Sequence, residues 1–481
     1  PETAGLLDFY NPTSVLSTAR EIITLWVSRM VMFNRYFLNG RLPFKDVFIH
    51  AMVQDGHGQK MSKSLGNGVD PRDIIFSHGA DAMRFTLVQM TTDTQDVRMP
   101  VEMVCPHSGV SFEPEFVRTQ AGHLVAAPVQ VSPQDDSKQM VSAYGAASGV
   151  VEPNKQTPLA RNTSSKFDLG RNFANKLWNA TRFALNRIDE GLVSDIDLGN
   201  RPFIDKWIFA RLDETVQKLE ESIGKYQFNI FADTLYDFVW HDVCDRYLEA
   251  VKPSIDSDPD QQMVLANLLN AVLRIMHPVC PFVTEALWPH VRQATSSTIK
   301  GVELPDTEIL ANAAWPKIEI TQSLSASLIS DFNSADQLVS LVRSTRAEQK
   351  VKPKQTIELY APDPVLDLLD RVNGYVQILA GIGEVKPLLE APSGDSTVIT
   401  FEGTEIKISG LNSDIDLKAQ KIRLEKLIVD KEKQINGFKG RLSNEGYLTN
   451  AKPEIIEETR NLLALAEADL EAAQSSLANL D

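Results

Sequence analysis

The sequence predicts a multidomain, mainly α-helical protein: an α/β segment first, then a helix bundle, a small α+β unit and a C-terminal antiparallel coiled-coil hairpin. Three observations carry that prediction. The chain has 481 residues, more than one hydrophobic core holds, so two to four domains are expected. Between residues 172 and 293 apolar side chains recur at helical spacing in four successive stripes, the pattern of a bundle. Beyond residue 412, two segments carry apolar residues at alternating three- and four-residue steps.

Composition narrows the function classes. Hydrophobic residues make up 43% and charged residues 23%, ordinary for a globular protein. No run of about 18 apolar residues occurs, so no membrane span is expected. Cys105, Cys244 and Cys280 lie far apart; three cysteines fit a reducing compartment and exclude a four-cysteine zinc site. A net charge of −16 argues against a protein that coats nucleic acid nonspecifically. It leaves room for RNA binding through a locally basic surface.

Taken in order, residues 12–39 place Val15, Leu16, Ile22, Ile23, Trp26, Val27 and Met30 at helix-like spacing, with Ser17 or Thr18 as N-cap. Trp26 alone reads as a core aromatic. Asp46 to Val53 is a short apolar run, the texture of a buried parallel strand. A loop follows directly, Asp55-Gly56-His57-Gly58-Gln59-Lys60-Met61-Ser62-Lys63-Ser64-Leu65-Gly66-Asn67. Its glycines free the backbone for close approach to a ligand. Lys60 and Lys63 are compact point charges suited to phosphate oxygens. At ~4 Å and an effective dielectric of about 20, one such contact is worth on the order of 4 kcal/mol before desolvation. The strand's carboxyl end is where open α/β sheets bind ligands. A solvated Gly/Lys turn would nonetheless have the same composition. Asp70-Pro71-Arg72-Asp73 starts a helix, and Gly79-Ala80-Asp81 starts another.

From 100 to 165 the texture turns to Ser, Gln, Ala, Val, Pro and Gly. Leu124 to Val131 alternates as one or two strands, and 134–165 reads as linker. Cys105, His107 and His123 are too scattered for a metal site, and none is assigned. The bundle stripes are Phe173, Leu177, Trp178, Thr181 and Leu185; Trp207, Ile208, Leu212, Val216 and Leu219; Phe228 to Val243; and Val264 to Ile275. Their aromatics read as core, not as an RNA stacking platform.

Next comes a helix over 335–349 with Arg343 and Arg346 near its end and Lys350, Lys352 and Lys354 beyond, a basic cluster on an acidic protein. Thr356–Tyr360, Val398–Phe401 and Glu405–Ile408 alternate as half-buried strands, and 364–380 reads as helical. Finally, Leu424, Ile428, Lys431, Ile435, Phe438 and Leu442 form one seam, and Ile456 to Leu480 another. The first helix is basic (Lys418, Lys421, Arg423, Lys426, Lys433, Lys439, Arg441) and the second acidic. The pair could simply match each other's charge. Phosphate contacts from the basic helix would instead give salt-sensitive, sequence-independent affinity.

Lys60-Met61-Ser62-Lys63-Ser64 is identical to the signature of class I aminoacyl-tRNA synthetases. Its flanks, Asp46 to His50 and Gly79 to Phe85, resemble the valyl-tRNA synthetases. So do Arg171 to Ala180, Cys244 to Glu249, His277 to Glu285 and the C-terminal seams. The resemblance covers all but the stretch from about 100 to 165. It implies a C-terminal half: the end of a Rossmann-like catalytic domain (1–99), an insertion or linker (100–165), a helical anticodon-binding domain (166–320), a small α+β unit (321–411) and a tRNA-binding arm (412–481). It implies activation of valine by ATP with Mg²⁺, then transfer to tRNA(Val). Lys60 and Lys63 would be catalytic, with Met61, Ser62, Ser64 and His50 on ATP, and Trp26 and Glu21 on the amino acid or ribose. Where the family reads Gly-x-Asp-Ile before that Trp, this chain has Ala19-Arg20-Glu21-Ile22. Lys418, Lys421, Arg423, Lys426, Arg343 and Arg346 are the expected tRNA contacts.

No His-x-Gly-His motif occurs, so the missing half of the nucleotide site is expected upstream of Pro1 and this chain alone is expected to make no adenylate. A cytoplasmic location follows from the resemblance. The competing readings are a non-catalytic tRNA-binding module, an isoleucyl or leucyl synthetase, and a coiled-coil scaffold.

Overall fold

A computed structural model describes residues 5–92, 96–189, 196–295, 298–319, 322–352, 355–391, 396–411, 417–444, 446–447 and 453–478. They fall into two compact units. One is Pro1–Asp197 with Arg211–Arg246 and Ser254–Glu319; the other is Leu198–Ala210, Tyr247–Pro253 and Ile320–Asp481.

The first unit begins with a correction. Thr13–Ala19 is a strand, not the start of a helix, and it pairs in parallel with Phe44–His50, Thr13 opposite Phe44 and Ala19 opposite His50. Thr13, Val15 and Thr18 are β-branched and favour the pleated backbone once a neighbouring strand is available. Helical structure starts only at Arg20, as a 3₁₀ turn to Ile22 and a π turn Ile23–Val27, before the α-helix Ser28–Phe37. The strand expected over 46–53 is split, Phe44–His50 in one sheet and Val53–Asp55 in another, and Val47 and Ile49 are each 44% exposed rather than buried. A second parallel pair joins Val53–Asp55 to Val97–Met99, with the loop between them in sequence.

The predicted start at Asp70 forms as expected: its side chain accepts from the Arg72 N–H at 2.8 Å, and Pro71 opens the helix Pro71–His78. The next helix, Ala80–Gln89, packs on Phe167–Leu185 so closely that a Cβ on Gly170 would lie 2.6 Å from the Ala82 carbonyl oxygen. Phe85, Phe173 and Tyr236 close that contact with ring centroids 4.8 and 5.1 Å apart. Asp81, only 8% exposed, accepts from the Phe282 and Val283 N–H groups at 3.0 and 2.6 Å. It thereby caps the helix Pro281–Ala294, whose own N-cap Cys280 makes no side-chain bond. A carboxylate there meets two otherwise unpaired donors and the positive end of the helix dipole. Arg84 adds a bond to the Pro278 carbonyl at 2.9 Å. The helices after the loop are thus bolted to the bundle.

Pro259–Met276 carries the fourth stripe, Val264 to Ile275, but is buried on all its faces, polar Asn267 and Asn270 included. Trp178 departs from its stripe and is 43% exposed. The segment expected as linker is folded. Strands Glu102–Val104, Ser111–Phe112, Phe116–Arg118, Leu124–Ala126, Val129–Ser132, Asp135–Val141 and Arg161–Thr163 make three small antiparallel sheets. Their core is Met103, Cys105, Met140 and Ala160, too small and too dispersed in sequence to leave a periodic trace.

The second unit holds a four-stranded sheet in the order Ile382–Pro387, Ile357–Ala361, Thr404–Ser409, Thr397–Phe401. The strand Ile382–Pro387 was not expected. The helix predicted over 364–380 is two, Asp363–Arg371 and Tyr375–Ala380, split where Asn373 and Gly374 take φ of 47° and 82°. The 335–349 helix is longer than read, Gln322–Glu348. Trp207 stacks on its Phe332 with centroids 3.6 Å apart. The last two helices, Leu417–Leu442 and Pro453–Ala478, pack together in opposite order: Lys431 bonds Asp469 at 2.6 Å, Lys439 bonds Glu467 at 2.7 Å, and Tyr447 reaches Thr459.

Among the described residues no helix is long and apolar enough to cross a membrane.

Candidate active site

The loop is built outward from one carboxylate. Asp55 ends its strand 3% exposed and accepts four hydrogen bonds, from the His57 and Gln59 N–H groups at 3.0 and 2.9 Å, from Gln59 Nε2 at 3.0 Å and from Asn67 Nδ2 at 2.8 Å. Burial pushes the carboxyl's pKa up, but the bonds from Asn67, Gln59 and His57 outweigh it and hold the group below its ordinary value. Asn67 then ties the far end of the loop to the near end, donating to the Lys60 carbonyl at 3.3 Å and accepting from the Ser62 N–H at 2.9 Å. Ser62 Oγ accepts from the Leu65 N–H at 3.2 Å and lies 3.2 Å from Ser64 Oγ.

The Met61 side chain turns inward, packed against the cluster of Ile74, Met99 and Phe167. Half-buried there, it anchors the loop. Lys60, Lys63 and Ser64 are exposed. Lys60 pairs with Glu21, both well exposed. An exposed ion pair of this kind is worth about 0–1 kcal/mol, so Lys60 can leave Glu21 at small cost. The Lys63 charge reaches Asp70 and helps lower the pKa of that carboxyl, whose main partner is Arg72. The loop therefore offers two cations on a tethered frame at the end of a strand.

Beside it, Asp96 binds three groups: Arg20, Gln54 Nε2 at 2.8 Å and the Met52 N–H at 3.2 Å. Its carboxyl is held below the ordinary value chiefly by the Arg20 guanidinium. Arg20, next to Glu21, is thus tied to the residue that precedes Val97–Met99.

His50 lines an apolar cavity of about 630 Å³ with Phe48, Tyr226 and Phe228, its Nδ1 3.0 Å from the Ala51 carbonyl oxygen. Trp26 is 43% exposed in the π turn, beside Leu25 at 66%. Arg346 is 8% exposed, and its guanidinium donates to the carbonyls of Gln355, Gly381 and Lys352 at 2.7, 3.2 and 3.3 Å. Burial lowers its pKa. Its bonds organise the turn after the helix Gln322–Glu348. Arg343 is exposed and donates to the Leu379 carbonyl at 2.8 Å. Lys426 is exposed on the first of the paired helices. The side chains of Lys418, Lys421 and Arg423 lie outside the described residues.

Sequence reasoning missed Asp55, Asn67, Asp96 and Asn162 as the groups that shape the site. Asn162 donates to the Gly66 and Gly68 carbonyls at 2.9 and 2.7 Å. Only the Asp-Gly and Asn-Gly pairs flanking the loop hinted at two of them.

Three family descriptions match the chain: tRNA synthetases class I (I, L, M and V) over residues 1–100, anticodon-binding domain of tRNA ligase over 205–361, and valyl tRNA synthetase tRNA binding arm over 416–481. Curated relatives named valine–tRNA ligase align along it. The one from Rhodopirellula baltica is 35% identical, covering 100% of this chain and 46% of that protein. Those from Thermotoga maritima and Rhizobium meliloti are 30% and 32% identical, covering 100% and 98% of this chain and 46% and 43% of theirs. The chain spans about half the length of these relatives.

Proposed function

We propose, on the premise that this chain belongs to the valyl-tRNA synthetases as their C-terminal region, that its exposed Lys60 and Lys63 hold the triphosphate of ATP while valine is activated. In that step a valine carboxylate oxygen attacks the α-phosphorus, and the bond to the leaving pyrophosphate breaks. Negative charge moves onto the pyrophosphate as the bond lengthens. Two ammonium groups placed there stabilise the transition state more than the ground state. A hydroxyl at the tRNA 3′ end then attacks the carbonyl of valyl-adenylate, valine passes to tRNA(Val), and AMP leaves. The observation that carries this reading is the frame around Asp55, which leaves both ammonium groups exposed on a loop whose feet are fixed.

Glu21 has a place in this scheme as the ground-state partner that parks Lys60 until ATP arrives. The N-terminal segment would be the end of a Rossmann-like catalytic domain, which the two parallel strand pairs support. The bundle would read the anticodon side of tRNA. The final helices would form a coiled-coil arm, with Lys426 and Lys433, seven residues apart, exposed on one face of its first helix. Catalysis would need the upstream half of the enzyme, and ATP would enter as its Mg²⁺ complex in the cytoplasm.

Lys63→Ala in the full-length enzyme tests the reading. The rate of valine-dependent ATP–pyrophosphate exchange should fall about 100- to 1,000-fold, as for loss of one charge-stabilising donor, with the valine KM little changed. An unaltered exchange rate would refute it. The 481-residue chain by itself should give no exchange and should bind tRNA in a salt-dependent way.

A further inference from the structure

We infer that the strand module between residues 100 and 165 is a clasp that positions the signature loop, with Asn162 as its positioning residue; this rests on the reading of that loop as the ATP grip. The module touches the loop at both feet and leaves the middle alone. At the first foot, the Gln59 side chain pairs with the Leu124 backbone in both directions: Nε2 donates to the carbonyl at 2.6 Å, and Oε1 accepts from the N–H at 2.9 Å. Nearby, the Phe116 ring meets His57 edge-on at 4.6 Å. At the second foot, Asn162 Nδ2 bridges the Gly66 and Gly68 carbonyls.

Gly66 takes φ +57°, and a Cβ there would lie 2.2 Å from the Tyr144 nitrogen. The module's backbone is therefore pressed against the loop where no side chain fits. Between the two feet Lys60, Lys63 and Ser64 stay exposed. A loop held at both ends and free between them keeps its cations within reach of a triphosphate while losing little freedom when ATP binds. Such pre-organisation lowers the barrier of a reaction that depends on placed charge.

The geometry also explains why asparagine serves at 162. One NH₂ group satisfies two carbonyls at once, and aspartate, of the same shape, would turn two acceptors against a third. A half-buried carbonyl left facing a carboxylate is destabilised more than one left without a donor.

Asn162→Asp and Gln59→Met are the test variants. Hydrogen exchange on this chain should show the amides of residues 62–67 exchanging at least tenfold faster in Asn162→Asp, with the bundle amides of 264–275 unchanged. In the full-length enzyme, kcat/KM for ATP in pyrophosphate exchange should fall 10- to 100-fold while the KM for valine and the affinity for tRNA hold. Gln59→Met should show the same pattern at its own foot and serves if Asn162→Asp does not fold. Loop exchange unchanged in a folded variant overturns the clasp, as does an equal loss for ATP and valine. Lys63→Ala run in parallel separates the two ideas: if it leaves exchange unaffected, the ATP-grip reading falls, while the hydrogen-exchange result still reports on the clasp.

Discussion

Replacing Asp55 with alanine should release the loop without unfolding the protein. The carboxylate is 3% exposed and accepts four hydrogen bonds, two from backbone N–H groups and two from the amide side chains of Gln59 and Asn67. Hydrogen bonds to a charged group contribute about 1.5–3 kcal/mol each in favourable cases, but the four are not independent, because Asn67 and Gln59 are themselves held by other partners. A loss of about 3–5 kcal/mol is the fitting range, as for removal of one member of a buried charged network. The bonds are local to residues 55–67, so the loss should appear as loop opening. At 1.4 kcal/mol per tenfold, about 3 kcal/mol accelerates exchange of the 57–67 amides by more than ~100-fold. Asn is no rescue: its NH₂ would face the donors of Asn67 or Gln59, so Asp55→Asn should fall within about 1 kcal/mol of alanine. The pH dependence has a definite sign. Because the folded pKa is depressed, the contribution is complete above the ordinary carboxylate value and is lost as pH falls through the folded value. Loop protection, corrected for intrinsic exchange, should be flat from about pH 8 to 5 and decline below about 4. Protection within threefold of the parent in Asp55→Ala would refute the claim that this residue is the hub.

Asp81→Ala should destabilise the first unit by about 2–4 kcal/mol, because it removes a buried cap from Pro281–Ala294; exchange of the 282–285 amides and a urea titration measure it, and a change under about 0.5 kcal/mol contradicts the assignment. Lys426→Ala should reduce the salt dependence of tRNA binding by about one phosphate contact, whereas Arg346→Ala should leave that slope alone and cost about 2–4 kcal/mol of stability, since its guanidinium serves three carbonyls; a slope that changes with Arg346 and not with Lys426 reverses the two roles.

What could be read along the chain was whatever repeats or signals within a few residues. The apolar repeat of Pro259–Met276, the Asp70–Pro71 helix start and the three-four steps of the last two helices are local patterns, each visible in a window of one or two helical turns. Lys60 and Lys63 stood out for the same reason. Partnerships across long separations left no such trace. Asp81 caps a helix some 200 positions away, Asn162 holds carbonyls of Gly66 and Gly68, and Gln59 pairs with Leu124. A hydrogen bond to a backbone carbonyl asks only for a donor in the right place, and any sequence supplies that carbonyl. Thr13–Ala19 became a strand because Phe44–His50 offered it a parallel edge, an influence no local window contains. Arg346 looked like part of a basic surface until folding turned it towards three carbonyls. Periodicity and charge were decided by the amino-acid order; which polar group meets which was decided by the tertiary contacts, because hydrogen bonds act over about 3 Å in space whatever the distance along the chain.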